Sequence, residues 1–224
     1  MTPPLALKDV TKSFGPIEVL HGIDFALHPG EVHALIGENG AGKSTMMKIL
    51  GGFLQPTSGQ VLLDGAPAPF HSGPEAEAQG VVVIHQEFNL AQDLTVSQNI
   101  WLGREMGGLF LDHKTMRRAT QALLDQLECR VGPEARVNDL PVSDRQMVEI
   151  AKALSRNARV LIMDEPSAVL TSHEVQVLFR QIDRLRAAGV ALLYTSHRLE
   201  SVSHRADRVT VLRDGAAVRR ALRG

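Results

Sequence analysis

Gly37-Glu38-Asn39-Gly40-Ala41-Gly42-Lys43-Ser44-Thr45, GENGAGKST in one-letter form, lies between an aliphatic run, Val32 to Ile36, and a stretch of helical character, Lys43 to Leu50. Gly37, Gly42, Lys43 and Ser44 fill the pattern G-x-x-x-x-G-K-[ST]. Each residue type has a physical reason to be there. Glycines tolerate positive φ and carry no side chain, so the backbone can wrap closely around phosphates. A helix that starts where the loop ends aims its first N–H groups and its partial positive charge at the same anion. Lys43 then neutralises β- and γ-phosphate charge, and Ser44 offers an oxygen to Mg²⁺. The bland alternative is a glycine turn arising by chance. The strand before the loop and the helix after it are the context that the phosphate mechanism requires.

Working outward, Val19 to Phe25, Val61 to Leu63 and Val81 to Ile84 read as strands. From about Ala91 to Ser155 strand signals fade. Thr115 to Leu127 carries helical spacing through Met116, Ala119, Leu123 and Leu127, with Asp112 as its start. Leu140 to Leu154, LPVSDRQMVEIAKAL, reads as a turn running into a helix. Ser143 and Gln146 match a capping box, and Met147, Ile150, Ala151 and Leu154 form an apolar face. Val160 to Met163, Val190 to Tyr194 and Val209 to Leu212 return as aliphatic strands. Between the first two, Thr171 and Glu174 match a second capping box, followed by a face of Val175, Leu178, Phe179, Ile182 and Leu185. Short aliphatic strands alternating with helices indicate a largely parallel, helix-covered sheet. The expectation is one α/β domain over residues 1–224, its core in 1–90 and 156–224 and a helical insertion in 91–155.

VLIMDEP, Val160 to Pro166, is an aliphatic strand ending in two carboxylates. The C-terminal ends of parallel strands open on the ligand crevice. Strand alternation sends Asp164 and Glu165 to opposite sides, so the two take different tasks. Asp164 suits the shell of Mg²⁺. Glu165 suits positioning or deprotonating a water that attacks a γ-phosphate. A pair of solvated charges at a strand end is the alternative; the loop at Gly37 favours the chemical reading.

Composition sets the outer bounds. The chain has 224 residues, 44% of them apolar, enough for a sizeable core. Lys and Arg number 24 against 25 Asp and Glu, which argues against broad electrostatic binding to nucleic acid. The single cysteine, Cys129, excludes an internal disulfide framework and fits a reducing compartment. The start, MTPPLALKDV, lacks the basic and apolar regions of a secretory signal. Runs such as VVVI and VLIM are far too short to span a membrane, so any membrane role is expected to come through a partner.

Taken together, these residues resemble the ATPase subunits of ABC transporters, and the resemblance covers nearly the whole chain. It implies a P-loop NTPase core with a mostly parallel sheet, an antiparallel β region near the N-terminus and a helical subdomain insertion. It implies ATP and Mg²⁺ as cofactors, hydrolysis as the reaction, and Lys43, Glu165 and His197 as catalytic residues. Gln86, in VVVIHQEFNL, matches a glutamine that reaches toward Mg²⁺ beside Ser44 and Asp164. His197, in LLYTSHRLE, matches a switch histidine at the γ-phosphate. Phe14, in TKSFGPIEVL, matches an aromatic that stacks on adenine. Within the family, GREMGGLFLDHKTM and RQMVEIAKALSRNARVLIMDEPSAVLTSHEV resemble the importers of simple sugars of the ribose, galactose and xylose type. Those proteins fuse two ATPase halves, and this chain resembles the first. The implied partners are a second ATPase domain, in the same chain or a dimer, membrane permease subunits and, indirectly, a solute-binding protein, with the domain on the cytoplasmic face of the membrane and no nucleic acid.

Two stretches depart from the family pattern. Its signature, Leu-Ser-Gly-Gly-Gln, aligns with Leu140, Pro141, Val142, Ser143 and Asp144. In the family this segment binds the γ-phosphate of ATP held by the opposite domain. Pro141 brings neither hydroxyl nor N–H, and Val142 adds bulk where close approach is wanted. Thr171 stands where an Asp is common. Three other classes compete. Near-zero charge weighs against a nucleic-acid or translation ATPase. Glu165, His197 and the signature-like turn are surplus to a small-molecule kinase. Glu165 also argues against a nucleotide-binding regulator without turnover.

Overall fold

The computed structural model describes residues 2–85, 89–108, 110–195 and 206–222, the last four by backbone alone. Two sheets are present. The first is antiparallel: β1 (Leu5–Phe14), β2 (Ile17–Leu27), β4 (Ser58–Leu63) and β5 (Ala66–Pro67) lie in the order β2-β1-β4-β5. The second has six strands: β3 (Val32–Ile36), β6 (Val81–Ile84), β7 (Val160–Met163), β8 (Ala191–Thr195), β9 (Arg208–Arg213) and β10 (Ala216–Leu222), in the order β10-β9-β3-β8-β7-β6. Strands β7, β8, β3 and β9 pair in parallel, and β10 returns antiparallel to β9. The runs VLIM of β7 and ALLYT of β8 are buried along their whole length, which explains why they are continuous rather than alternating.

The chain divides into two units. One comprises Met1–Val83, Ala158–Glu165 and Asp183–Gly224 and holds both sheets, apart from the last residue of β6, with α1 (Lys43–Leu50) and α2 (Gly73–Ala78). Its core packs Leu5, Leu20, Leu27, Met46, Leu50, Ile162 and Leu193 together. The other comprises Ile84–Asn157 and Pro166–Ile182. It is helical: α3 (Val96–Trp101), α4 (His113–Gln126), α5 (Val142–Leu154) and most of α6 (Ser172–Ala187). Helix α3 packs on α4 and α5, and α4 on α5.

Helix starts decide several of these boundaries. Asp112 caps α4, accepting the Thr115 N–H at 2.9 Å and its hydroxyl at 2.6 Å. Thr171 and Glu174 form the expected reciprocal box at α6: the Thr171 N–H donates to Glu174 Oε2 at 2.7 Å and the Glu174 N–H to Thr171 Oγ1 at 3.3 Å. A third box, Thr95 with Gln98, starts α3. The box expected at Ser143 and Gln146 does not form. Helix α5 begins two residues earlier, capped by Pro141 with no side-chain bond, so Ser143 is already helical and cannot reach back to cap. Gln146 is instead buried. The expected apolar face holds at Met147, Ile150 and Ala151, but Val148, Glu149 and Lys152 are buried too, so α5 is enclosed nearly all round. In α4 the buried line runs through Met116, Thr120 and Leu124 rather than Ala119 and Leu123.

Candidate functional site

The loop after β3 takes the shape its glycines allow. Gly42 has a φ of +100°, and a Cβ there would come within 2.7 Å of Leu20 Cδ2. A Cβ on Gly37 would meet the Leu212 carbonyl oxygen at 2.4 Å. Both positions therefore demand glycine, one for conformation and one for close approach of β9. Helix α1 starts at Lys43 with no side-chain cap and no acid in its first turn, so no carboxylate of its own first turn competes for its N-terminal N–H groups. Lys43 is buried, its ammonium donating to the Gly37 and Glu38 carbonyls at 2.7 and 3.0 Å. A desolvated cation inside an uncapped loop is suited to an anion.

Asp164 and Glu165 lie beyond the end of β7 at Met163, so strand alternation does not place them as expected. Glu165 turns the chain instead, with a φ of +47°. Asp164 joins the loop: Ser44 Oγ donates to its Oδ2 at 3.2 Å. Its Oδ1 accepts from Thr195 Oγ1 at 2.8 Å, and that hydroxyl accepts the Glu165 N–H at 3.0 Å. A hydroxyl and a carboxylate side by side, on separate elements, form a partial set of hard oxygen donors. Such a set suits Mg²⁺, which takes few protein ligands and completes its shell with phosphate and water. Among the described residues, no group of three or more His, Cys, Asp or Glu could hold a metal alone.

Of the other expected site residues, Phe14 is about half-exposed at the end of β1, with Lys12 Nζ 5.2 Å from its ring centroid, so it is not a core residue. Gln86 and His197 lie outside the described residues. In the helical unit, Leu140 to Asp144 form the entry to α5, where Val142 is half-exposed. Burial, and then the charge of Glu174, push the Asp144 carboxyl above its ordinary range. Arg145 braces this turn through the Leu140 and Asn138 carbonyls, each at 2.9 Å.

Sequence reasoning missed two features. One is Thr195, whose only trace was a hydroxyl closing an aliphatic strand beside the acidic one. The other is a grip on Asn89 from α5. Glu149 accepts the Asn89 N–H at 2.5 Å and Lys152 Nζ donates to its carbonyl at 2.8 Å. Burial raises the Glu149 carboxyl, partly offset by Lys152, the Asn89 N–H and Arg156. Acid and base three places apart on a helix read as a surface pair, which concealed this role.

Fold and loop define a P-loop α/β nucleotide-binding domain with a mostly parallel sheet and an antiparallel sheet built from its N-terminal strands. Residues 20–168 match the ABC transporter family. The chain belongs to that family. It is 52% identical over 221 residues to a ribose import ATP-binding protein of Rubrobacter xylanophilus, covering 98% of this chain and 44% of that protein. It is 47% identical over 221 residues to a putative ribose/galactose/methyl galactoside import ATP-binding protein of Albidiferax ferrireducens, covering 97% and 44%. The chain thus spans less than half the length of these relatives. Among solved structures, a nucleotide-free ATP-binding cassette from an ABC transporter superposes with a TM-score of 0.86 at 24% identity, covering 100% of this chain and 92% of that one. A dimeric cassette in a post-hydrolysis state bound to ADP and Pi gives 0.87 at 25% identity, covering 98% and 99%. No helix among the described residues is long and apolar enough to cross a membrane.

Proposed function

We propose that this chain is the ATP-binding and ATP-hydrolysing motor domain that energises import of a simple sugar through partner membrane subunits. The observation that carries the reading is the meeting of Lys43, Ser44 and Asp164 at the mouth of an uncapped helix. Backbone N–H groups of Gly37 to Thr45 and the Lys43 ammonium bind the β- and γ-phosphates. Ser44 and Asp164 hold Mg²⁺, with Gln86 as a further ligand. The ion, when bound, supplies charge neutralisation at the phosphates. Glu165 orients or deprotonates the attacking water, His197 contacts the γ-phosphate, and the Phe14 ring stacks on adenine.

Hydrolysis on this reading needs a second ATPase domain, in the same chain or a dimer. Each domain closes the other's site with its signature turn, here Leu140 to Asp144. Membrane permease subunits receive the motion at the cytoplasmic face, and a solute-binding protein delivers the sugar. The names of the relatives and the stretches Gly103 to Met116 and Arg145 to Val175 support the sugar class.

Calorimetric titration with Mg-ATP tests the nucleotide reading. The wild-type chain is expected to bind, and Lys43→Ala to bind at least about tenfold more weakly, the scale of losing a charge-assisted bond. Equal affinity in both overturns the reading. For the sugar class, ATPase of the whole transporter in vesicles is expected to rise with ribose-, galactose- or xylose-loaded binding protein. Absence of stimulation by all three overturns that part alone.

A further inference from the structure

Thr195 is the last residue of β8 and is completely buried. In the parallel pairing of β7 with β8, Met163 faces Tyr194, which brings Thr195 beside Asp164 and Glu165. Its hydroxyl has one proton to give and lone pairs to accept with. It accepts the Glu165 N–H at 3.0 Å. Its proton has two acceptors in reach, Asp164 Oδ1 at 2.8 Å and the Met163 carbonyl at 3.4 Å. The shorter contact goes to the carboxylate, and a charge-assisted bond is the stronger one. The second Asp164 oxygen accepts from Ser44 Oγ at 3.2 Å. The carboxylate is therefore oriented from both sides, by hydroxyls on α1 and β8.

The same hydroxyl also holds the Glu165 main chain, whose φ of +47° lies where a residue with a Cβ is strained. Strained backbone persists only where its surroundings over-determine it. The site is completely buried at the end of a strand whose other residues are apolar or aromatic, where a valine of the same shape would bury as well. What the hydroxyl adds is the pair of bonds to Asp164 and Glu165.

We infer that Thr195 is a positioning residue for ATP hydrolysis, setting the Asp164 carboxylate for the metal and the Glu165 backbone for its turn through one hydroxyl. The inference rests on the Mg-ATP reading of the site. Thr195→Val is expected to weaken ATP binding in Mg²⁺ about tenfold, the scale of one hydrogen bond to a charged group. It leaves binding in EDTA unchanged, because Asp164 acts through the metal. It also speeds hydrogen exchange of the Glu165 amide in the nucleotide-free protein, since that N–H loses its acceptor. Thr195→Ser keeps the hydroxyl and restores both readouts to within about twofold, with Thr195→Ala standing in where the valine variant folds poorly.

Calorimetry in the two buffers and exchange followed by NMR measure these effects. Loss confined to the Mg²⁺ buffer, faster Glu165 exchange and rescue by serine support the role. Unchanged Mg²⁺ dependence, equal loss in both buffers, or failure of serine to rescue overturns it while leaving the nucleotide reading intact. A wild-type chain that binds no ATP in either buffer overturns the nucleotide reading, and the positioning role with it.

Discussion

At Glu165 a carboxylate side chain sits on left-handed backbone, φ +47°, one residue after the Asp164 carboxylate that meets Ser44. A glycine would take this conformation without strain. A carboxylate kept there at a conformational cost is the pattern of a residue retained for chemistry. Glu165→Gln is expected to lower ATP turnover by at least about 10²-fold, the scale of general-base catalysis, while Mg-ATP affinity stays within about twofold. Turnover and equilibrium binding, measured on the same preparation, check this; full turnover in the glutamine variant removes Glu165 from the mechanism. Glu165→Gly should raise the unfolding free energy by up to about 1 kcal/mol in denaturant titration, because the strain is relieved, while turnover is lost. A destabilised glycine variant refutes the strain argument.

Helix α5 is the element whose environment differs most from its sequence pattern. It is enclosed nearly all round, and two of its buried residues, Glu149 and Lys152, hold the N–H and the carbonyl of Asn89. Burial is the main cause that raises the Glu149 carboxyl above its ordinary 4.5. The folded protein thus binds that proton more tightly than the unfolded chain. The stability it contributes is full below pH 4.5 and is lost as pH rises through the raised folded value. Glu149→Gln retains an oxygen for the Asn89 N–H and removes the titration. Its stability relative to wild type should therefore increase as pH rises above 4.5, read by urea unfolding. Parallel pH curves would show that Glu149 does not titrate differently on folding. At α6, Thr171→Ala removes the hydroxyl half of the cap, leaving the residue 171 N–H on Glu174, and should cost about 1 kcal/mol in the same assay, with a larger deficit than Thr171→Ser.

At the scale of the whole molecule, the half-site built by Lys43, Ser44, Asp164 and Glu165 is one side of a reaction chamber on the proposed reading. The chain alone should bind Mg-ATP yet hydrolyse it slowly, with specific activity rising as protein concentration rises, because closure requires a second domain. Concentration-independent, brisk turnover overturns this. The entry to α5 sharpens the expected asymmetry of a full transporter. Pro141 supplies no N–H, Val142 is half-exposed, and Asp144 puts an acid in the first turn. An acid there opposes a neighbour's γ-phosphate. Single-turnover hydrolysis at each site of the full assembly should be weaker at the site that Leu140 to Asp144 completes. Equal rates at both sites remove the asymmetry.

Elements whose pattern is local were legible before folding. The loop Gly37 to Thr45, the start of α1 at Lys43, the aliphatic strands β3, β6 and β7, and the caps at Asp112 and Thr171 are each set by residues within a few positions of one another. Periodicity and capping chemistry suffice there. Ser143 and Gln146 show the limit of that logic: the local pattern was sound, but Pro141 starts the helix two residues earlier and tertiary packing takes Gln146 into the interior. The strands β1 and β10 escaped notice because their residues alternate weakly and they are strands through their pairing, β1 with β2 and β4 and β10 with β9. The acidic pair was legible as two carboxylates closing an aliphatic strand and misread as geometry, since the strand ends before it and the turn at Glu165 is held from outside by Thr195. By itself the sequence determined the phosphate loop, the aliphatic strands and the helix starts at Lys43, Asp112 and Thr171. Only the tertiary structure decided that Ser44 and Thr195, distant along the chain, grip the two oxygens of Asp164, because a hydrogen bond between residues so far apart depends on the sheet that brings them together and leaves no local trace.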